Sequence, residues 1–177
     1  MFLTVRAKIL LVVFTLAAAV AIFLFAHHHR HRLAPDTTAD RVLVEKAARR
    51  LSILRQGRII KSYRVALGHN PVGAKQEEGD MKTPEGIYQI DARNPKSDYH
   101  LALHISYPSA EDRARAAARG VNAGFDIMIH GLPNGNGWLG PAHLATDWTA
   151  GCIAVTDEEI EELWRAIPDG TTVEIRP

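Results

Sequence analysis

The sequence predicts a mainly β (α+β) domain with two or so short helices, preceded by one N-terminal membrane-spanning segment. Three observations carry this. From residue 40 onward, short runs of alternating apolar and polar residues are separated by Gly, Pro, Asn and Asp, the pattern of strands and turns. Only two stretches, 109–119 and 158–167, combine helical spacing with capping residues. Residues 9–26 form an uncharged apolar run behind Arg6 and Lys8, long enough to cross a bilayer.

In chain order, residues 1–32 read as a signal anchor or signal peptide with a basic, His-rich flank. Leu24-Phe25-Ala26 offers no clear small-x-small cleavage site, so an uncleaved anchor is expected, with a cleaved signal as the alternative; either way the remainder is exported. The tract His27-His28-His29-Arg30-His31-Arg32 reads as a solvated flank at lipid headgroups, since no second ligand cluster frames it as a metal site. Residues 33–39, with Pro35, Thr37 and Thr38, are linker, and 40–177 are the folded domain.

Val42 and Val44 alternate with Arg41, Leu43 and Glu45 in a first strand. Residues 50–55 and 58–66 are two more, joined at Gln56-Gly57 as a hairpin. Residues 70–82 are a loop in which Glu77, Glu78 and Asp80 form a solvated acidic rim. Thr83-Pro84-Glu85-Gly86 turns the chain into a strand at 87–90. Residues 99–107 form a cleaner strand, with Tyr99, Leu101, Leu103, Ile105 and Tyr107 on one face and His100, Ala102, His104 and Ser106 on the other. His100 and His104 would then stand about 13 Å apart, too far to share one metal ion. A charged surface helix over 109–119 starts at Ser109 with Asp112 and stops at Gly120. A second helix over 158–167 follows a Thr156/Glu159 capping box and puts Ile160, Leu163, Trp164 and Ile167 on one face. Pro168-Asp169-Gly170 turns into a closing strand at 171–175.

The chemistry lies between Asp126 and Asp157. Ile127 and Ile129 alternate with Asp126 and Met128 and deliver His130-Gly131 to a loop rich in Gly, Asn, Pro and Trp. That loop returns through Thr149-Ala150-Gly151 to Cys152, the one cysteine of the 177 residues, so no intramolecular disulfide can form. Cys152 is either a small buried hydrophobe, an intermolecular link or a reactive thiol. A helix starting just past it would favour the thiolate. A thiol and an imidazole joined by a loop are the material of a nucleophile and its base. A net charge of +1 gives no reason to expect nucleic acid, no cofactor or metal is implied, and oligomeric state is unspecified. Trp138 and Trp148 read first as packing, with Trp138 a candidate substrate contact; residues 133–140 are a candidate lid.

His130-Gly131 followed by Thr149-Ala150-Gly151-Cys152-Ile153 resembles the signature of the L,D-transpeptidase (YkuD-type) catalytic domain, and within it the YafK-like branch. The resemblance extends through 40–44, Gly79-Asp80, 83–86 and Asn94-Pro95, and covers roughly 40–177. Ala150 and Ala154 replace a His and an Arg usual in that signature. The resemblance implies a β-sandwich, a Cys152 nucleophile and a His130 base whose ring is oriented by the Gly131 carbonyl; backbone N–H groups near Gly151 and Cys152, with Thr149 in support, are the candidate oxyanion donors. It makes side-chain orienters such as Asp147 or Asn134 unnecessary. A thiolate–imidazolium pair is expected. The implied activity is exported acyl transfer on peptidoglycan stem peptides. A peptidase acting on the same linkage, including release of wall-attached protein, is the alternative. A non-catalytic wall-binding scaffold is a further reading. A zinc peptidase built from His100, His104, His130 or His143 lacks a motif.

Overall fold

A computed structural model describes residues 13–18 and 32–177. The basic tract at 27–31 and all of the apolar run except 13–18 lie outside the described residues. Residues 13–18 are helical, and among the described residues no helix is long and apolar enough to cross a membrane. Two compact units, 1–34 and 35–177, divide the chain.

The second unit is built on eight strands: β1 (Arg41–Glu45), β2 (Arg50–Arg55), β3 (Arg58–Arg64), β4 (Gly86–Ser97), β5 (His100–Ile105), β6 (Met128–His130), β7 (Ile153–Ala154) and β8 (Thr172–Arg176). They form one mixed sheet in the order β3-β2-β1-β8-β4-β5-β6-β7. The β2–β3 hairpin turns at Gln56 (φ 52°) and Gly57 (φ 75°), both left-handed, as a tight two-residue turn requires. β1 buries Val42 and Val44 and pairs in parallel with β8, the last strand of the chain.

Two expectations change here. β4 does not end near residue 90 but runs to Ser97, pairing with β8 over Gly86–Gln89 and with β5 beyond Ile90. Pro95 is accommodated because the register shifts between Asn94 and Ser97, where no ladder N–H is needed. Because one long strand serves both halves, the expected sandwich is realised as a single continuous sheet. Its ends then meet: past β3, Ala66 exchanges two backbone hydrogen bonds with Ala154 of β7, at 3.0 and 2.8 Å. The contact is local: together with the bridge of Gly68 to Thr149 it ties the chain past β3 to the cysteine turn.

Helix α1 (Ala110–Ala118) carries the capping box of Ser109 and Asp112, and helix α2 (Asp157–Ala166) that of Thr156 and Glu159. α1 is less superficial than its charges suggest, because buried Asp112 accepts a 3.0 Å hydrogen bond from the Tyr88 hydroxyl on β4. On α2, Ile160, Leu163 and Ile167 are fully buried, whereas Trp164 lies at the edge under the Arg93 guanidinium, 4.9 Å from the ring centroid. Glu162 takes a buried place instead, accepting from the Tyr63 hydroxyl at 2.9 Å and pairing with Lys61. α2 packs across β5 and β6, which stiffens the strand that carries His130.

Candidate active site

β6 and β7 pair in parallel, Ile129 opposite Ile153 and His130 opposite Ala154. Both isoleucines have no exposed surface, so the pair is anchored by apolar burial. This register brings His130, at the end of β6, and Cys152, just before β7, to one groove of about 440 Å³. Tyr99, Asp126, Trp148, Thr149 and Ala150 are among the residues that line it around them.

The His130 ring is buried, and its Nδ1 lies 2.7 Å from the Gly131 carbonyl oxygen. A carbonyl can only accept, so Nδ1 carries the proton and Nε2 keeps its lone pair. Gly131 is held in turn by its own N–H, shared between the Tyr99 and Leu101 carbonyls at 3.1 and 3.2 Å. A Cβ on Gly131 would come 2.7 Å from the Asp157 carboxylate and 3.0 Å from Ile160, so only glycine lets this turn approach α2. Burial pushes the His130 pKa down to about 4, against the pull of the Gly131 carbonyl and with a further push from His143.

This depression has a sign for stability. The unfolded chain takes up a proton on His130 near 6.5 and the folded chain only near 4, so stability is full above pH 6.5 and falls as pH drops from 6.5 to 4. One histidine contributes about 3 kcal/mol across that window. Expected in an NMR titration is a His130 imidazole that changes protonation near 4, with urea midpoints declining from pH 6.5 to 4 and part of that decline removed in His130→Gln. A His130 resonance titrating near 6.5 in the folded protein refutes the burial account.

Cys152 is only partly exposed, and its Sγ donates to the Asp126 carbonyl at 3.5 Å. Burial raises the thiol pKa; the Met128 amide and Lys75 act against this, and the Asp126 carboxylate adds to it. Burial thus works against the charged form of both groups, and so against the ion pair expected between them. The expected helix dipole is missing for a geometric reason: α2 begins at Asp157, beyond β7, and its first turn holds Asp157, Glu158 and Glu159.

Thr149 organises the cysteine turn, its hydroxyl donating to the Cys152 carbonyl at 2.8 Å and accepting from the Gly151 N–H at 3.1 Å. That second bond occupies the Gly151 amide, one of the two expected oxyanion donors; the other is the Cys152 amide. Gly151 (φ 135°) packs against the Lys82 carbonyl, and Gly68 packs against Gly151, so two glycines allow the return from β3 to touch the cysteine turn.

The other candidates separate. His100 (φ 64°) sits at the start of β5 and faces Glu161 at 3.0 Å, while His104 faces Asp91 at 2.5 Å and Asp126 at 3.7 Å; neither lines the groove. Asp147 accepts from Arg49 and the Leu67 N–H, and Asn134 caps the β4–β5 turn through His100 N–H and the Ser97 carbonyl, so neither orients His130. Trp138 is 80 % exposed, and residues 133–140 stay outside the groove. They lead into a 3-10 segment, Gly137–Ala145, broken at Gly140 (φ 45°). Trp148 and Tyr99 are the aromatic walls instead, with ring centroids 5.8 and 4.5 Å from His130. Tyr99 had been expected on a strand face; the β4–β5 turn lifts it over the histidine. The one available signal for Trp148 was its place directly before Thr149.

A closed mixed sheet that carries a cysteine and a backbone-oriented histidine on adjacent parallel strands into one groove has the architecture of an L,D-transpeptidase-type domain. The chain belongs to the YkuD family, the L,D-transpeptidase catalytic domain, whose family pattern matches residues 39–175. YafK of Escherichia coli (strain K12), named as a candidate L,D-transpeptidase, is 30% identical over 114 residues, 63% of this chain and 39% of YafK. The helical cell shape determining protein Pgp2 of Campylobacter jejuni superposes with a TM-score of 0.62 at 27% identity, over 80% of this chain and 48% of Pgp2. Bd1075 of Bdellovibrio bacteriovorus gives 0.55 at 28%, over 82% and 50%. The chain thus spans half or less of the length of these relatives.

Proposed function

We propose that this protein is an exported cysteine acyl-transferase acting on peptidoglycan stem peptides in cell-wall remodelling. The observation that carries the reading is the shared groove of Cys152 and His130, with the His130 ring set by the Gly131 carbonyl. Cys152 attacks the diaminopimelate carbonyl of an L,D-configured linkage while His130 Nε2 takes the thiol proton. The proton passes to the leaving amine as the thioester forms. Because burial disfavours both charged forms, proton transfer accompanies attack. With the Gly151 amide engaged by Thr149, the Cys152 amide is the donor to the developing oxyanion. An amine acceptor then gives a cross-link or an attached protein; water makes the same site an L,D-peptidase, able to release wall-attached protein. Family membership and the cell-shape role named for Pgp2 support a wall substrate.

Sacculi incubated with the protein, digested and analysed by mass should show new cross-links for transfer, and trimmed stems or released protein stubs for hydrolysis. Sacculi unchanged relative to a Cys152→Ala control would leave a non-catalytic scaffold. We further propose that the domain lies on the periplasmic side, anchored in the inner membrane by residues 9–26. The mature protein should then keep its N-terminus and fractionate with membranes; an N-terminus read after residue 19 or 26 means a cleaved signal instead.

A further inference from the structure

His143 has no place in the chemistry above, yet it is 7 % exposed on the 3-10 segment and lines, with Trp148 and Leu132, a second cavity of about 270 Å³. Its Nδ1 lies 3.4 Å from the Trp148 indole nitrogen. An indole N–H only donates, so Nδ1 accepts and the neutral ring carries its hydrogen on Nε2. That Nε2 is buried and has no hydrogen-bond partner among the described residues. Leaving a buried donor unmet costs stability, and such an atom calls for an explanation. Trp148 stands edge-on to both histidines, with ring centroids 6.4 Å from His143 and 5.8 Å from His130.

We propose that His143 is a positioning residue: it holds the Trp148 indole against His130, and so keeps the base dry and aimed at Cys152. The inference rests on reading His130 as the base. Burial holds the His143 pKa low, against the opposing pull of Asp157, so near neutral pH Nδ1 is available as the acceptor. The same neutrality keeps a second positive charge away from His130 when it takes the thiol proton.

The test follows His130 by NMR titration and, separately, acylation of Cys152 by a stem tetrapeptide, in the full-length chain. His143→Leu removes the acceptor. Its expected effects are a His130 titration point raised by about one pH unit as water reaches the ring, and acylation slowed roughly tenfold, the rate equivalent of about 1.4 kcal/mol. His143→Asn restores an acceptor near the Nδ1 position and should return both readouts close to wild type. In a Trp148→Phe background, which has no indole N–H, His143→Leu should add little. The proposal is overturned if His143→Leu leaves the titration unchanged, if Asn does no better than Leu, or if the Leu effect persists undiminished in the Trp148→Phe background, since a purely electrostatic role would behave in these last two ways. The titration needs no substrate. A wild-type protein that never acylates therefore removes the proposed function without touching this inference, and normal acylation with an unmoved titration does the reverse.

Discussion

Cys152→Ala should abolish thioester formation, and His130→Ala should slow it by roughly two to four orders of magnitude, the usual size of a general acid–base contribution. Cys152→Ser should be nearly as damaging as Ala, because a hydroxyl is far less acidic than a thiol and His130, with a pKa held near 4, is a weak base for it. Burial of the thiol, which raises its pKa, sharpens the expectation for His130→Ala. Raising the pH should recover part of the loss, since hydroxide can ionise the thiol but cannot protonate the leaving amine. Intact-mass detection of the acyl-enzyme with a stem tetrapeptide, from pH 5 to 10, reads all three variants. Acylation near the wild-type rate in His130→Ala would show that the pairing of His130 with Cys152 is wrong.

Gly151→Ala should be the most destabilising small substitution in the cysteine turn. The backbone there has φ 135°, and a Cβ would stand 2.6 Å from the Lys82 carbonyl oxygen and 3.1 Å from Ile127. A backbone oxygen cannot rotate aside, so the turn must shift and carry Cys152 with it. A cost of about 3 kcal/mol, and a melting temperature lower by roughly 10 °C, follow from strain and overpacking together. Gly135→Ala is the control: its φ is also positive, 87°, but a Cβ there meets nothing within 4 Å. It should cost about 1 kcal/mol from backbone strain alone. Equal melting temperatures for the two variants would mean that the close approach to Lys82 does not constrain the turn.

Local signals in this chain were legible where neighbours in sequence are also neighbours in space. Gln56-Gly57 marked its hairpin, and Thr156 with Glu159 marked the start of α2 to within a residue, because turn and cap hydrogen bonds close over a few positions. Val42, Val44, Ile127 and Ile129 showed their burial by alternation. Cys152, His130 and Gly131 were legible for a different reason: two motifs resembling a known family flank one loop. The strand expected at 87–90 instead runs on through Pro95 to Ser97, which the bulge beside the proline allows.

Sequence alone determined which residue types could react and which strands could present them, since thiol, imidazole and alternation are properties of short stretches. It did not determine their protonation. That came from burial of His130 and Cys152, which disfavours the charged form of each, and from β7, which separates the thiol from the start of α2. Nor could it find the walls. Tyr99 reaches His130 from a turn some thirty residues upstream, and Asp157 receives the Leu132 N–H at 2.8 Å only because α2 folds back across β6. The approach of Gly68 to Gly151 exists only once Ala66 pairs with Ala154 and the sheet closes. Closure depends on every intervening strand taking its place, so its consequences for the site belong to the tertiary structure.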